Sequence, residues 1–196
     1  MSIPHSIIAA ILLGFLCVSA ASGQKAAPRA VVDEAERISK DTFGFIVKTK
    51  KGATVYGVSR PTDAMLNAID KGLGDLFAVA KKNRLRKKLK YSDYTIFVAK
   101  ADRQKDYLGN YSPDLAVAAK QYAGSEYDKG AFIYAAGIVV AFQPMAFMIG
   151  EHEKDLERVA IVVRYEGEHL GLFHNDRKRY AETADHSKGG SHPILQ

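Results

Sequence analysis

The sequence has 196 residues, a net charge of +6, six histidines and a single cysteine. That cysteine, Cys17, lies in the apolar opening stretch, so the body of the chain has no thiol nucleophile and no disulfide to stabilise it. The remainder, about 170 residues, is long enough to bury roughly 70% of its chain surface in one packed core. A single domain is therefore expected.

Residues 1–23 contain no Asp, Glu, Lys or Arg, and Ile7 to Ala21 is an almost unbroken apolar run. This pattern predicts a secretory signal peptide cut near Ala20, Ala21 or Gly23. At about 15 residues the run falls short of the roughly 20 that cross a bilayer as a helix. The chain thus reads as secreted or periplasmic, with no transmembrane span after cleavage, an uncleaved anchor being the alternative. Residues 24–40 form a polar leader with a short helix over Val31 to Ser39. Residues 41–196 form one domain with a polar C-terminal tail.

Within that domain, Phe43 to Lys50 and Thr54 to Ser59 are two β-rich runs joined by Lys51-Gly52, a hairpin signal. Pro61-Thr62-Asp63 starts a helix whose apolar positions Leu66, Ile69, Leu73, Leu76, Phe77 and Ala80 recur at helical spacing. Tyr94 to Ala99 is a buried-type strand. Residues 101–130 are rich in Gly, Pro, Tyr and Asp and read as loop. Ala131 to Phe142 and Met145 to Ile149 are two further strands about Gln143-Pro144. A last helix is expected from about Lys154 to His174, on Leu156, Val159, Val162, Val163, Leu170 and Phe173. No alternating strand–helix rhythm is evident. The expected class is α+β with a mixed or mainly antiparallel sheet, a backing helix and a C-terminal helix carrying the site.

Chemistry concentrates near the end. His152, His169, His174, His186 and His192 all follow residue 151. On the last helix Tyr165, Glu166 and His169 share a face by their spacing, with Glu168 to one side. The run Tyr165-Glu166-Gly167-Glu168-His169-Leu170-Gly171-Leu172-Phe173-His174 resembles the site helix of zincin metallopeptidases, H-E-x-x-H with an x-x-G-x-x-H extension. Tyr165 stands where that pattern has its first His, and Gly171 and His174 come one residue early.

The resemblance implies a zincin-like fold, zinc as cofactor, Glu166 as general base and His169 as a metal ligand. His174, His186 and His192 are the further metal candidates, and Tyr165, Glu168 and Asp176 could complete a set of three. Left to themselves, Glu166 and Glu168 are equally readable as surface charges and His169 as a half-buried core residue. His186 and His192 flank Lys188-Gly189-Gly190, a turn able to close on a metal. The apolar Pro193-Ile194-Leu195 suggests that the tail docks, the alternative being a mobile end.

A second cluster is basic: Lys81, Lys82, Arg84, Arg86, Lys87, Lys88 and Lys90. It could meet an anionic surface or polymer, or serve as a solvated helix end favourable against the helix dipole. Only Tyr91 and Tyr94 lie close by, which disfavours nucleic acid, where stacking aromatics interleave with cations. Tyr107, Tyr111, Tyr122 and Tyr127, with Asp106, Asp114 and Asp128, suit peptide or polymer recognition or packing over the sheet. A serine elbow (G-x-S-x-G) and a phosphate-binding glycine loop are both missing. Two function classes therefore stand: an exported zincin-like, metal-dependent peptidase or hydrolase, and a non-catalytic exported domain that binds an anionic surface, a cell-surface polymer or a protein partner.

Overall fold

The computed structural model describes residues 26–100, 115–118, 132–184 and 192–196. The fold is α+β, with a mixed five-stranded sheet and four helices among the described residues. Strands β1 (Phe45–Lys48), β2 (Thr54–Gly57), β3 (Tyr94–Ala99), β6 (Gly137–Phe142) and β7 (Met145–Gly150) form the sheet in the order β1-β2-β3-β7-β6. Strands β4 (Leu115–Ala118) and β5 (Phe132–Ala135) make a separate antiparallel pair. The predicted β1–β2 hairpin is present, its turn closing with Gly52 at φ 104°.

The centre of the sheet is parallel. β2 pairs with β3, and β3 with β7, all in one direction, while the edge strands β1 and β6 run against their neighbours. Helix α2 (Asp63–Lys82) connects β2 to β3, so one strand–helix–strand crossover does exist. Such a crossover is what joining parallel neighbours requires, because a tight hairpin cannot do it.

Both faces of the central strands are covered, which explains their unbroken apolar sequences. Tyr94, Ile96 and Val98 of β3 with Met145, Phe147 and Ile149 of β7 point to α2 and α3 (Leu156–Asn175). The alternate residues Phe97, Ala99, Ala146 and Met148 meet Val31, Val32, Ala35 and Ile38 of α1 (Arg29–Ser39) on the other face. The stretch read as a polar leader thus supplies a core helix. Residues 1–25, which hold the expected signal segment, lie outside the described residues. Among the described residues no helix is long and apolar enough to cross a membrane.

Local chemistry sets the ends of the two long helices. Thr62 Oγ1 accepts from the Met65 N–H at 3.2 Å at the start of α2, and Asp155 Oδ1 from Arg158 N–H at 3.0 Å at the start of α3. The single strand expected over Ala131–Phe142 is instead two, β5 and β6, broken at Ala136. A fourth helix, α4 (Arg177–Thr183), follows α3 after Asp176. Its sequence, RKRYAET, carries no apolar period, and it is held by Asp176 Oδ1 accepting from the Arg179 N–H at 3.0 Å.

Candidate functional site

Helix α3 carries the predicted residues, and its position against β6 decides their surroundings. Glu166 is buried where α3 passes under the start of β6. A Cβ on Gly137 would stand 2.9 Å from Glu166 Oε1, so this strand position is glycine because the carboxyl occupies the space. Burial pushes the Glu166 carboxyl up to about 8, since the low-polarity surroundings penalise its charged form.

One turn along the same face, His169 is buried at the edge of the helix, and the segment 192–196 returns to meet it. His169 Nε2 and His192 Nε2 are 3.2 Å apart, with the rings near perpendicular at 84°. His192 Nδ1 faces Glu168 Oε2 at 3.4 Å. A carboxylate there favours the proton on Nδ1 and leaves the Nε2 lone pair turned towards His169. Tyr165 lies flat against the His192 ring, 4.5 Å between centroids and 5° between planes.

Glu168 is fully buried, and both of its carboxyl oxygens have partners. Its Oε1 accepts from Arg164 Nε at 3.2 Å, and its Oε2 accepts from the Ile194 N–H at 2.8 Å. This carboxylate therefore anchors a backbone and orients an imidazole rather than standing at a surface.

The other candidates go elsewhere. His174 Nε2–H donates to the Phe142 carbonyl at 2.8 Å and is committed to pinning β6 to α3. Asp176 caps α4. His186 and the Tyr- and Asp-rich residues from 106 to 114 and 122 to 128 lie outside the described residues. Tyr165 has its ring spent on His192. Among the described residues, no three His, Cys, Asp or Glu side chains group closely enough to hold a metal ion. The site that is assembled is a two-imidazole pair beside a buried carboxyl.

Sequence reasoning missed Gly137, Arg164, Arg179 and Asn83. Gly137 had a signal, since a glycine inside a strand pattern marks a close approach. The other three act through contacts with the 192–196 segment that no local pattern announces. The basic run is where the sequence placed it: Lys81, Lys82, Arg84, Arg86, Lys87, Lys88 and Lys90 are all exposed.

No protein-family model, curated protein or solved structure matches the chain.

Proposed function

We propose that this chain is an exported, zincin-like, metal-dependent hydrolase acting on peptide bonds. Export rests on the uncharged apolar segment at residues 1–23. The observation that carries the hydrolase reading is the His169–His192 pair. Two imidazole nitrogens on one tetrahedral zinc stand about 3.3 Å apart, given bonds of about 2.05 Å. The 3.2 Å between these two Nε2 atoms, which are hydrogen-bonded to each other, is close to that separation, and a metal would replace the proton they share. Glu168, behind His192, supplies the carboxylate that typically fixes the tautomer of a metal-bound imidazole.

Zinc held there would supply Lewis acidity and an acidified water. The protein's own part falls to Glu166, on the same helical face as His169. Burial raises its carboxyl to about 8, so near neutral pH it mostly holds a proton that it can give to a leaving amine, and only the ionised fraction would take one from water. The family pattern places its first ligand at the position of Tyr165. Here Tyr165 instead cradles His192, so the segment 192–196 delivers the imidazole that the helix lacks.

The test is metal content together with hydrolysis. The wild-type chain is expected to bind one Zn2+, to lose it on His169→Ala or His192→Ala, and to keep it on Glu166→Gln while losing hydrolysis of a random peptide library. Absence of stoichiometric zinc from the wild type, or zinc retained by His169→Ala, defeats the reading.

A second reading, a docking function, is favoured by the shape of the basic loop. Asn175 Oδ1 accepts from both the Arg86 N–H at 2.9 Å and the Lys87 N–H at 2.7 Å, and Asn175 Nδ2–H donates to the Lys87 carbonyl at 2.9 Å. Arg84 and Lys88 are held at φ 61°, a backbone region that such residues seldom enter. The cations are thus presented on a fixed loop rather than a frayed end. Each lysine or arginine near an anionic surface contributes about 1 kcal/mol. Lys87→Glu with Lys88→Glu is expected to weaken co-sedimentation with phosphatidylglycerol vesicles by about a hundredfold or more. Equal sedimentation of the variant and the wild type removes this reading.

A further inference from the structure

The segment 192–196 is held as a peptide ligand is held, from the outside of the domain. Leu195 is fully buried and Ile194 nearly so, in a cluster with Val79, Ala80, Leu85 and Leu172. Pro193 before them and Gln196 after them are exposed. Among the described residues, the hydrogen bonds to the backbone of Ile194, Leu195 and Gln196 all come from side chains. The Ile194 N–H donates to Glu168 Oε2 at 2.8 Å, and Arg179 Nη2 donates to the Ile194 carbonyl at 2.8 Å. Arg164 Nη2 donates to the Leu195 carbonyl at 2.8 Å, and Asn83 Nδ2 to the Gln196 carbonyl at 2.9 Å.

These side chains stand on α3, on α4 and just past the end of α2, and together they form a groove. His192 fills its near end, with its ring flat against Tyr165 at 4.5 Å between centroids and its Nε2 hydrogen-bonded to His169 Nε2 at 3.2 Å. Main-chain hydrogen bonds supply affinity and a pocket for a defined side chain supplies specificity, the division of labour found in peptide-binding grooves. Every one of these contacts is made to the segment's own atoms. They would form equally with the same residues arriving from another molecule.

We propose that this groove is an exchangeable peptide-binding site, and that its second occupant is the same 192–196 segment of another copy of this chain. The occupant is fixed by sequence, because a second copy carries His192-Pro193-Ile194-Leu195-Gln196 in full. Each contact broken when the segment leaves one groove is remade in the other, which is why exchange of an identical element is a low-cost route to a dimer. The inference stands on these contacts alone and needs no metal at the imidazole pair. A groove filled by its own segment is open to a second copy only in the fraction of molecules whose segment has left. The apparent affinity between wild-type copies is lowered by that fraction.

The experiment uses two complementary variants of the full chain, with a chelator present throughout. Arg179→Gln with Asn83→Ala removes the donors to the Ile194 and Gln196 carbonyls but keeps the segment intact, and this chain carries a fluorescent label. Leu195→Asp spoils the segment and leaves the groove open. Each variant alone is expected to sediment as a monomer. Titrating the labelled chain with Leu195→Asp is expected to give saturable binding by anisotropy, which an excess of the synthetic peptide SHPILQ reverses. Wild-type chain as titrant is expected to bind about tenfold or more weakly, because its own segment fills the groove. Leu195→Ala replaces Leu195→Asp if that variant shows no cooperative melting. Failure of a folded segment variant to bind the labelled chain overturns the proposal. So does binding that the peptide leaves unchanged, or that the wild type matches, since the contact would then lie outside the groove.

Discussion

Glu166→Gln is expected to flatten the pH dependence of stability in chelator-treated protein between about pH 4.5 and 8, and to raise stability at pH 8. The carboxyl moves from its ordinary 4.5 up to about 8 on folding, through burial under β6. Below the lower value both folded and unfolded chains carry the proton, and the group's contribution is at its most favourable. Between the two values the unfolded chain has released a proton that the folded protein keeps, so stability falls with rising pH and levels off above about 8. The full span corresponds to at most about 5 kcal/mol. Glutamine is neutral throughout and nearly the same size, so Gly137 still accommodates it. Chemical denaturation at a series of pH values gives the answer. A wild-type slope that persists in Glu166→Gln would assign the titration to another group.

Gly72→Ala is expected to cost about 2 kcal/mol or more of stability, near the upper part of what overpacking a core costs. A Cβ at Gly72 would collide with the Ala160 carbonyl oxygen and stand 2.7 Å from Val163 Cβ, where α2 and α3 cross. Neither obstacle can rotate away, since one is backbone and the other the root of a β-branched side chain. The gain of about 1 kcal/mol in helix propensity from replacing glycine does not offset this. Gly171→Ala, on α3, is the control. Its Cβ would meet only Leu85 Cδ1 at 4.0 Å, an ordinary contact, and the propensity gain should then appear as higher stability. Thermal melts of the two variants moving in the same direction would show that helix spacing is not set at Gly72.

Much of the fold is legible in sequence where the signal is local. Thr62 and Asp155 mark helix starts through hydrogen bonds to residues three further on, and Tyr94–Ala99 reads as a strand because both its faces are covered. That same double coverage hides direction. A strand buried on both sides has no alternation, and β2, β3 and β7 look alike whether paired in parallel or not. Helix α4 is hidden for the opposite reason, since its cap and its neighbours hold it instead of an apolar stripe. Of the site, Glu166 and His169 follow from spacing on one helix, and His192 was within reach as a candidate. Its partnership with Tyr165, Glu168 and His169 depends on Arg179, Asn83 and a leucine pocket more than a hundred residues away from parts of the segment, with Asn83 and Gln196 separated by 113 positions.

That separation bears on the order in which the molecule can be completed. Strand β2, helix α2 and strand β3 are neighbours in sequence and can assemble as soon as they are synthesised. The end of α2 and the segment after it then present Val79, Ala80 and Leu85 uncovered, because their cover includes Ile194 and Leu195. A chain delivered from its N-terminal side therefore carries a sticky spot until its last hundred residues have arrived. The exposed cations beside that spot, Lys81, Lys82, Arg84 and Arg86, discourage self-association during the wait by mutual repulsion, a protection that concentrated salt would weaken.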